Sequence, residues 1–163
     1  MRVRTLKLEA LRRFARSERG TQLVELAIVL PVLLLLLVIT AEFGRFFYTY
    51  TTLAKATRAG ARYLSTAPGN GSMDGPAKNL VVYGNTEGEG DPLVAGLDPT
   101  HVIISREGGN LTAGMPETVT VKIEGYDYQP IFDLAGMSGK GDYSLAVDVS
   151  PSTTMRFLLT IPS

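Results

Sequence analysis

Twenty-one consecutive residues, Thr21 to Ala41, read TQLVELAIVLPVLLLLLVITA and contain one charge, Glu25. A helix of that run rises about 31 Å, which is about the hydrocarbon thickness of a bilayer. Lipid offers the backbone no hydrogen-bond partners, so a spanning segment of this length must satisfy its own peptide groups as a helix. The expectation is one membrane-spanning helix over residues 21–41. Its polar boundary is Gly20, and five residues further on Glu25 already lies inside the apolar run. An ionised carboxylate costs about 2.5–3.5 kcal/mol at mid-bilayer on insertion scales, and less one turn from the boundary.

Charge sets the direction of insertion. Residues 1–20 hold seven Lys/Arg against Glu9 and Glu18, a net of +5, whereas residues 66–163 hold five against twelve Asp/Glu, a net of −7. A basic flank before the span and an acidic segment after it place the N-terminus in the cytoplasm and the C-terminus outside. The chain thus divides into a basic leader (1–20), the transmembrane helix (21–41), a stalk (42–65) and an extracytoplasmic β-rich domain (66–163). Leu6, Leu8, Leu11 and Phe14 make the leader weakly amphipathic, although a solvated topogenic tail accounts for the same residues. A conventional secretory signal fits poorly, because cleavage after Ala41 would put bulky Ile39 at the minus-three position. With no cysteine in the sequence, the exported domain has no disulfides and must hold together by packing.

Two readings of Glu25 follow from the spacing. If a peptidase cut after Gly20, Thr21 would present an α-amine that is mostly cationic at neutral pH. Paired with Glu25 of an adjoining helix, it would neutralise both charges and set an axial register. Alternatively, Glu25 is a glutamate tolerated near the interface, its carboxylate snorkelling to water. Pro31 removes one helical donor, which membrane helices accommodate at the expense of a kink.

A basic leader, a glycine, and a glutamate five positions later at the head of an apolar helix resemble a type IV prepilin signal. The continuation is more specific: Gly20, Val24, Glu25, Leu30-Pro31, Glu42-Phe43-Gly44 and Arg58-Ala59-Gly60-Ala61-Arg62-Tyr63 resemble the N-terminal signature of the TadE-like family. These are pilin-like proteins of the tight-adherence (Tad, Flp-type) pilus system of bacteria. Further on, Val81-Val82-Tyr83-Gly84, Pro92-Leu93-Val94, Gly96-Leu97, TVTVKIEGYDYQP and STTMRF are similar as well. The resemblance implies a minor pilin or pseudopilin of the inner membrane that is cleaved between Gly20 and Thr21 and assembles through its helix. The implied partners are a prepilin peptidase, related pilin-like subunits and the Tad membrane platform, with adherence and biofilm formation as the outcome. The rival expectation is an uncleaved bitopic protein whose β domain binds a ligand, and an anchored enzyme stands third.

Beyond the span, Phe43, Phe46, Tyr50, Leu53, Thr57, Gly60 and Leu64 recur in steps of three and four, with Arg45, Lys55, Arg58 and Arg62 largely off that stripe. The pattern predicts an amphipathic continuation of the helix over 42–65. Its distal half, Leu53 to Leu64, is expected on the protein's own sheet, and its proximal half is left for other helices. Phe47, Tyr48 and Tyr50 suit an interfacial aromatic belt. The stretch 65–79 reads as loop, and Leu80 to Tyr83, His101 to Arg106, Val119 to Ile123, Leu145 to Val149 and Met155 to Leu159 read as strands. The expected fold is α+β and pilin-like, a long helix packed on a small antiparallel sheet of four or five strands.

Residues for chemistry are sparse. His101 is the single histidine, and a zinc site needs more nitrogen or sulfur ligands than that. SGKGD lacks the P-loop spacing. Glu87, Glu89 and Asp91 lack EF-hand order and read as a solvated acidic loop. Asn70-Gly71-Ser72 and Asn110-Leu111-Thr112 match glycosylation sequons, a frequent chance pattern. No cofactor, metal, nucleic acid or small-molecule substrate is expected.

Overall fold

The computed structural model describes residues 18–111, 115–131 and 147–158. The leader stripe, Leu145, the GMSGKGD segment and Leu159 lie outside these residues. Helix α1 runs unbroken from Glu18 to Ser65, through Pro31. The chain divides into two compact units, one ending at Phe43 and one beginning at Gly44.

In the first unit the helix keeps its apolar side chains on the outside: Leu23 is 68% exposed, Leu37 65%, and those between them are exposed too. The Thr40 hydroxyl donates to the Leu36 carbonyl at 2.8 Å, so it needs no outside partner.

The second unit has its own core. In its part of α1, Leu53, Ala56, Thr57, Gly60, Ala61 and Leu64 are buried. This is the distal face expected from the stripe. Nearer the membrane end the buried line departs from expectation: Phe46 and Thr49 turn inward while Tyr50 is exposed. Phe46 stacks edge-on against Tyr128 with ring centroids 5.4 Å apart. The expected stripe steps from Phe46 to Tyr50 to Leu53, whereas the inner line steps from Phe46 through Thr49 to Leu53, so a small polar residue takes the place given to the tyrosine ring.

Residues 74–83 correct a second expectation. Asp74 to Tyr83 is a helix, α2, where loop and a short strand were read. Asp74-Gly75-Pro76 looks like a turn, yet an acidic residue and a proline both suit a first helical turn, whose amides have no intrahelical acceptor. Gly84 ends the helix with φ 79° and returns its N–H to the Leu80 carbonyl at 3.1 Å, a left-handed cap that favours glycine. Ala77, Val81 and Val82 form the buried face. This face sits so close to α1 that a Cβ built on Gly60 would lie 2.6 Å from a Val81 methyl and 3.6 Å from Val121.

The sheet has three strands in the order β1 (Val102–Glu107), β2 (Thr118–Ile123) and β3 (Ser152–Arg156), all antiparallel. Strand β2 alternates as expected: Val119, Val121 and Ile123 are fully buried, with Thr118, Thr120 and Lys122 on the outer face. Each such burial is worth about 1.5–3 kcal/mol. On the inner face Val121 faces Ile104 of β1 and Thr153 of β3. Thr57 of α1 meets that strand directly, its hydroxyl 3.1 Å from that of Thr153. The Ser65 carbonyl, at the open end of α1, accepts from the Leu158 N–H at 2.8 Å.

Among the described residues the expected fourth strand is only an isolated bridge, Asp127 to Asp148. The ladder with β3 ends at Lys122, and Gly125, two residues past the end of β2, turns the chain with φ 69°. His101 ends a single 3-10 turn, Pro99–His101, rather than starting the strand. Asp98 caps this turn by accepting from the Thr100 N–H at 2.8 Å. Arg106 of β1 reaches Asp74 with both terminal nitrogens, one bond measuring 3.1 Å, and so ties the start of α2 to the sheet. The architecture is α+β, a long N-terminal apolar helix with a small antiparallel sheet, consistent with the pilin-like fold expected.

Candidate functional site

The residues singled out for processing and register all lie at the beginning of α1. Gly20 is the third residue of the helix, so the Gly20–Thr21 bond falls in its first turn. The amides of a first turn lack intrahelical acceptors, and glycine lowers helical preference by about 1 kcal/mol relative to alanine. Local opening at this bond therefore costs less than anywhere deeper in the span.

Thr21 and Glu25 are exposed and four residues apart, hence on one face and about 6 Å apart along the axis. Leu23, Val24 and Leu26 beside them are also exposed, at 53% or more. Among the described residues Glu25 has no ion-pair partner. Glu25 is the eighth residue of α1, beyond the first turn in which the helix dipole favours a carboxylate. The cost of carrying its charge into the apolar run is therefore left for a positive partner to offset. Six residues further on, Pro31 leaves the Ala27 carbonyl without its usual amide donor, although the helix continues through it.

A different kind of surface lies in the second unit. Arg45, Tyr48, Leu93, Tyr126, Tyr128 and Gln129 help line a cleft of about 270 Å³. Tyr126 donates to the Ala95 carbonyl at 3.2 Å, and the Arg45 guanidinium stands 6.0 Å from the Tyr128 ring centre. Burial raises the Tyr126 hydroxyl above the usual phenolic range, partly offset by the positive charge of Arg45. Among the described residues no carboxylate or imidazole lines this cleft. It has aromatic walls and a cation, which suits binding. Sequence reasoning missed it because Tyr126 and Tyr128 enter there only within TVTVKIEGYDYQP, as part of the resemblance, and not as binding residues.

Elsewhere, the Nδ1 atom of His101 accepts from the Asp98 N–H at 3.1 Å, and its ring packs edge-on to Tyr126. This histidine has a structural task at the turn before β1. Glu87, Glu89 and Asp91 are exposed, and among the described residues no cluster of three or more acidic, histidine or cysteine side chains is arranged to hold a metal.

No curated protein and no solved structure matches the chain. Gly20, Thr21, Glu25, Pro31 and the distal stalk as far as Arg62 all fall inside one matched segment, and the similarities read further along the sequence fall outside it. Residues 20–62 match the family of TadE-like proteins, which marks this segment as TadE-like and the chain as a membrane protein associated with the Tad pilus system.

Proposed function

We propose that this chain is a non-catalytic minor pilin or pseudopilin of a Tad-type pilus machine. A prepilin peptidase cuts between Gly20 and Thr21, and the new ammonium group on Thr21 pairs with Glu25 of an adjoining pilin-like helix. The leader is cytoplasmic and the domain from residue 66 onward extracytoplasmic, as the charge difference across the span favours. The Tad inner-membrane platform takes up the processed subunit, and adherence follows from the assembled fibre. The observation that supports this most is the combination at the start of α1: a helix with exposed apolar side chains, bearing Glu25 one turn inside and without an ion-pair partner among the described residues. Pro31 supplies a point at which the span bends as helices pack.

The experiment is Glu25→Ala in the cell, with membrane fraction, processing and pilus fraction measured together. The expected result is normal insertion with the protein lost from sheared pili. Normal incorporation of the variant would contradict the register role.

The cleft between Arg45 and the tyrosines favours a second reading, an uncleaved bitopic protein that binds a ligand carrying an anionic group and an apolar or ring-shaped face. For that reading the full-length chain retains its leader, and Tyr126→Ala abolishes ligand binding while Glu25→Ala is silent.

A further inference from the structure

Beyond the membrane, α1 bears a second charged feature. Lys55, Arg58 and Arg62 are exposed at steps of three and four residues, which puts them on one face of the helix. With Tyr63 and with Met155 of the edge strand β3 they line an open groove of about 660 Å³. Among the described residues none of the three cations joins an ion pair.

The same chain presents the opposite charge in a preformed shape. After α2, Glu87, Glu89 and Asp91 are exposed and likewise outside every described ion pair. The Asn85 side chain holds their loop, accepting from the Gly88 and Glu89 amides at 2.8 and 3.2 Å and donating to the Glu89 carbonyl at 2.7 Å. Asn79 adds a bond to the Thr86 carbonyl at 3.1 Å. A hydrogen bond from the Thr86 hydroxyl is the main cause holding the Glu87 carboxyl below its usual range. A loop already fixed in shape loses little entropy on docking.

We propose that the Lys55–Arg58–Arg62 groove receives the Glu87–Glu89–Asp91 loop of a second copy of this chain, so that copies join groove to loop. This rests on the reading of the chain as an assembling subunit. Within one copy no ion pair among the described residues joins the two features, and their contact between copies joins unlike surfaces. An unlike-surface contact propagates from copy to copy and, unless its rotation closes a ring, gives an open helical array. Exposed pairs of this kind are individually weak, which suits a contact secondary to helix packing, one that sets orientation.

The chain has no cysteine, so engineered thiols report cleanly. In full-length protein expressed in its own membrane, Thr66→Cys on the groove rim and Asp91→Cys in the loop are combined and treated with a short bismaleimide. The expected result is a ladder of multimers from the double variant and nothing beyond a dimer from either single variant. Adding Arg58→Glu and Arg62→Glu reduces the ladder about tenfold, as expected for losing two exposed pairs. Adding Glu87→Arg and Glu89→Arg to that reversal restores it. A ladder indifferent to reversal overturns the proposal, as does binding of a soluble polyanion in place of the ladder. The N-terminus is sequenced in the same samples. A start at Thr21 with no ladder contradicts this docking alone, whereas an intact Met1 contradicts the pilin reading itself.

Discussion

One helix, α1, provides two surfaces that solve the same physical problem differently. From Leu23 to Leu37 its apolar side chains are exposed, and no described residue of that unit covers them. From Leu53 to Leu64 the line Leu53, Ala56, Thr57, Gly60, Ala61 and Leu64 is buried against α2 and the sheet. The first surface is large and rich in leucine, suited to lipid or to other helices. The second consists mostly of small residues, which let a neighbouring helix and strand approach closely. The exposed apolar surface of the lower part suits contacts with lipid or other molecules, and the buried face of the upper part serves the stability of the domain. Substitutions in one should leave the property governed by the other untouched.

The largest separation is expected at Gly20. Gly20→Phe fills the position before the proposed cleavage point and should abolish the Thr21 terminus and pilus incorporation altogether, with no change in the thermal midpoint of the full chain in detergent. A lowered midpoint would mean that the start of α1 also supports the domain, and the comparison would fail. Next in size is the upper surface. Gly60→Val must displace Val81, whose methyl already lies 2.6 Å from an added Cβ, and should destabilise the domain by about 1–3 kcal/mol. Processing after Gly20 should be unchanged, as read by the electrophoretic shift of newly made protein.

A smaller loss sharpens the picture within the domain. Asp74→Asn weakens the two-pronged contact with Arg106, whose side chain is 15% exposed and whose Nε has no described partner. The expected cost is about 1–3 kcal/mol in urea unfolding of the full chain, again without effect on processing.

The smallest effect concerns pH. The Thr100 backbone N–H, followed by its hydroxyl, holds the Asp98 carboxyl below its usual range. A depressed folded value means that the ionised form stabilises the turn above the unfolded carboxylate range. That stabilisation fades as pH falls through the folded value. Wild type and Asp98→Ala should therefore differ slightly in midpoint at neutral pH and converge in acid. A difference that grows in acid would contradict this.

The elements legible in sequence were those with an uninterrupted period. The span announces itself by length, β2 by strict alternation of Val119, Val121 and Ile123 with polar neighbours, and the distal stalk by its small and apolar stripe. What escaped was encoded by exceptions. Thr49 takes the inward place that the stripe gives to Tyr50. Asp74-Gly75-Pro76 can begin a turn or a helix, and only the burial of Ala77, Val81 and Val82 against α1 selects the helix. The Arg45–tyrosine cleft gathers residues from α1, the loop at 93–95 and the segment after β2, so no local pattern could reveal it. At the membrane end the situation is reversed: Gly20, Thr21 and Glu25 are close in sequence and easily read, while the partner proposed to complete them belongs to another molecule.

The mass of the N-terminal peptide from protein in sheared pili and in membranes tests the central claim most directly. The account predicts a chain beginning at Thr21 in the pilus fraction. A chain there that still begins at Met1 would contradict it, because a blocked Thr21 nitrogen carries no charge to offer Glu25.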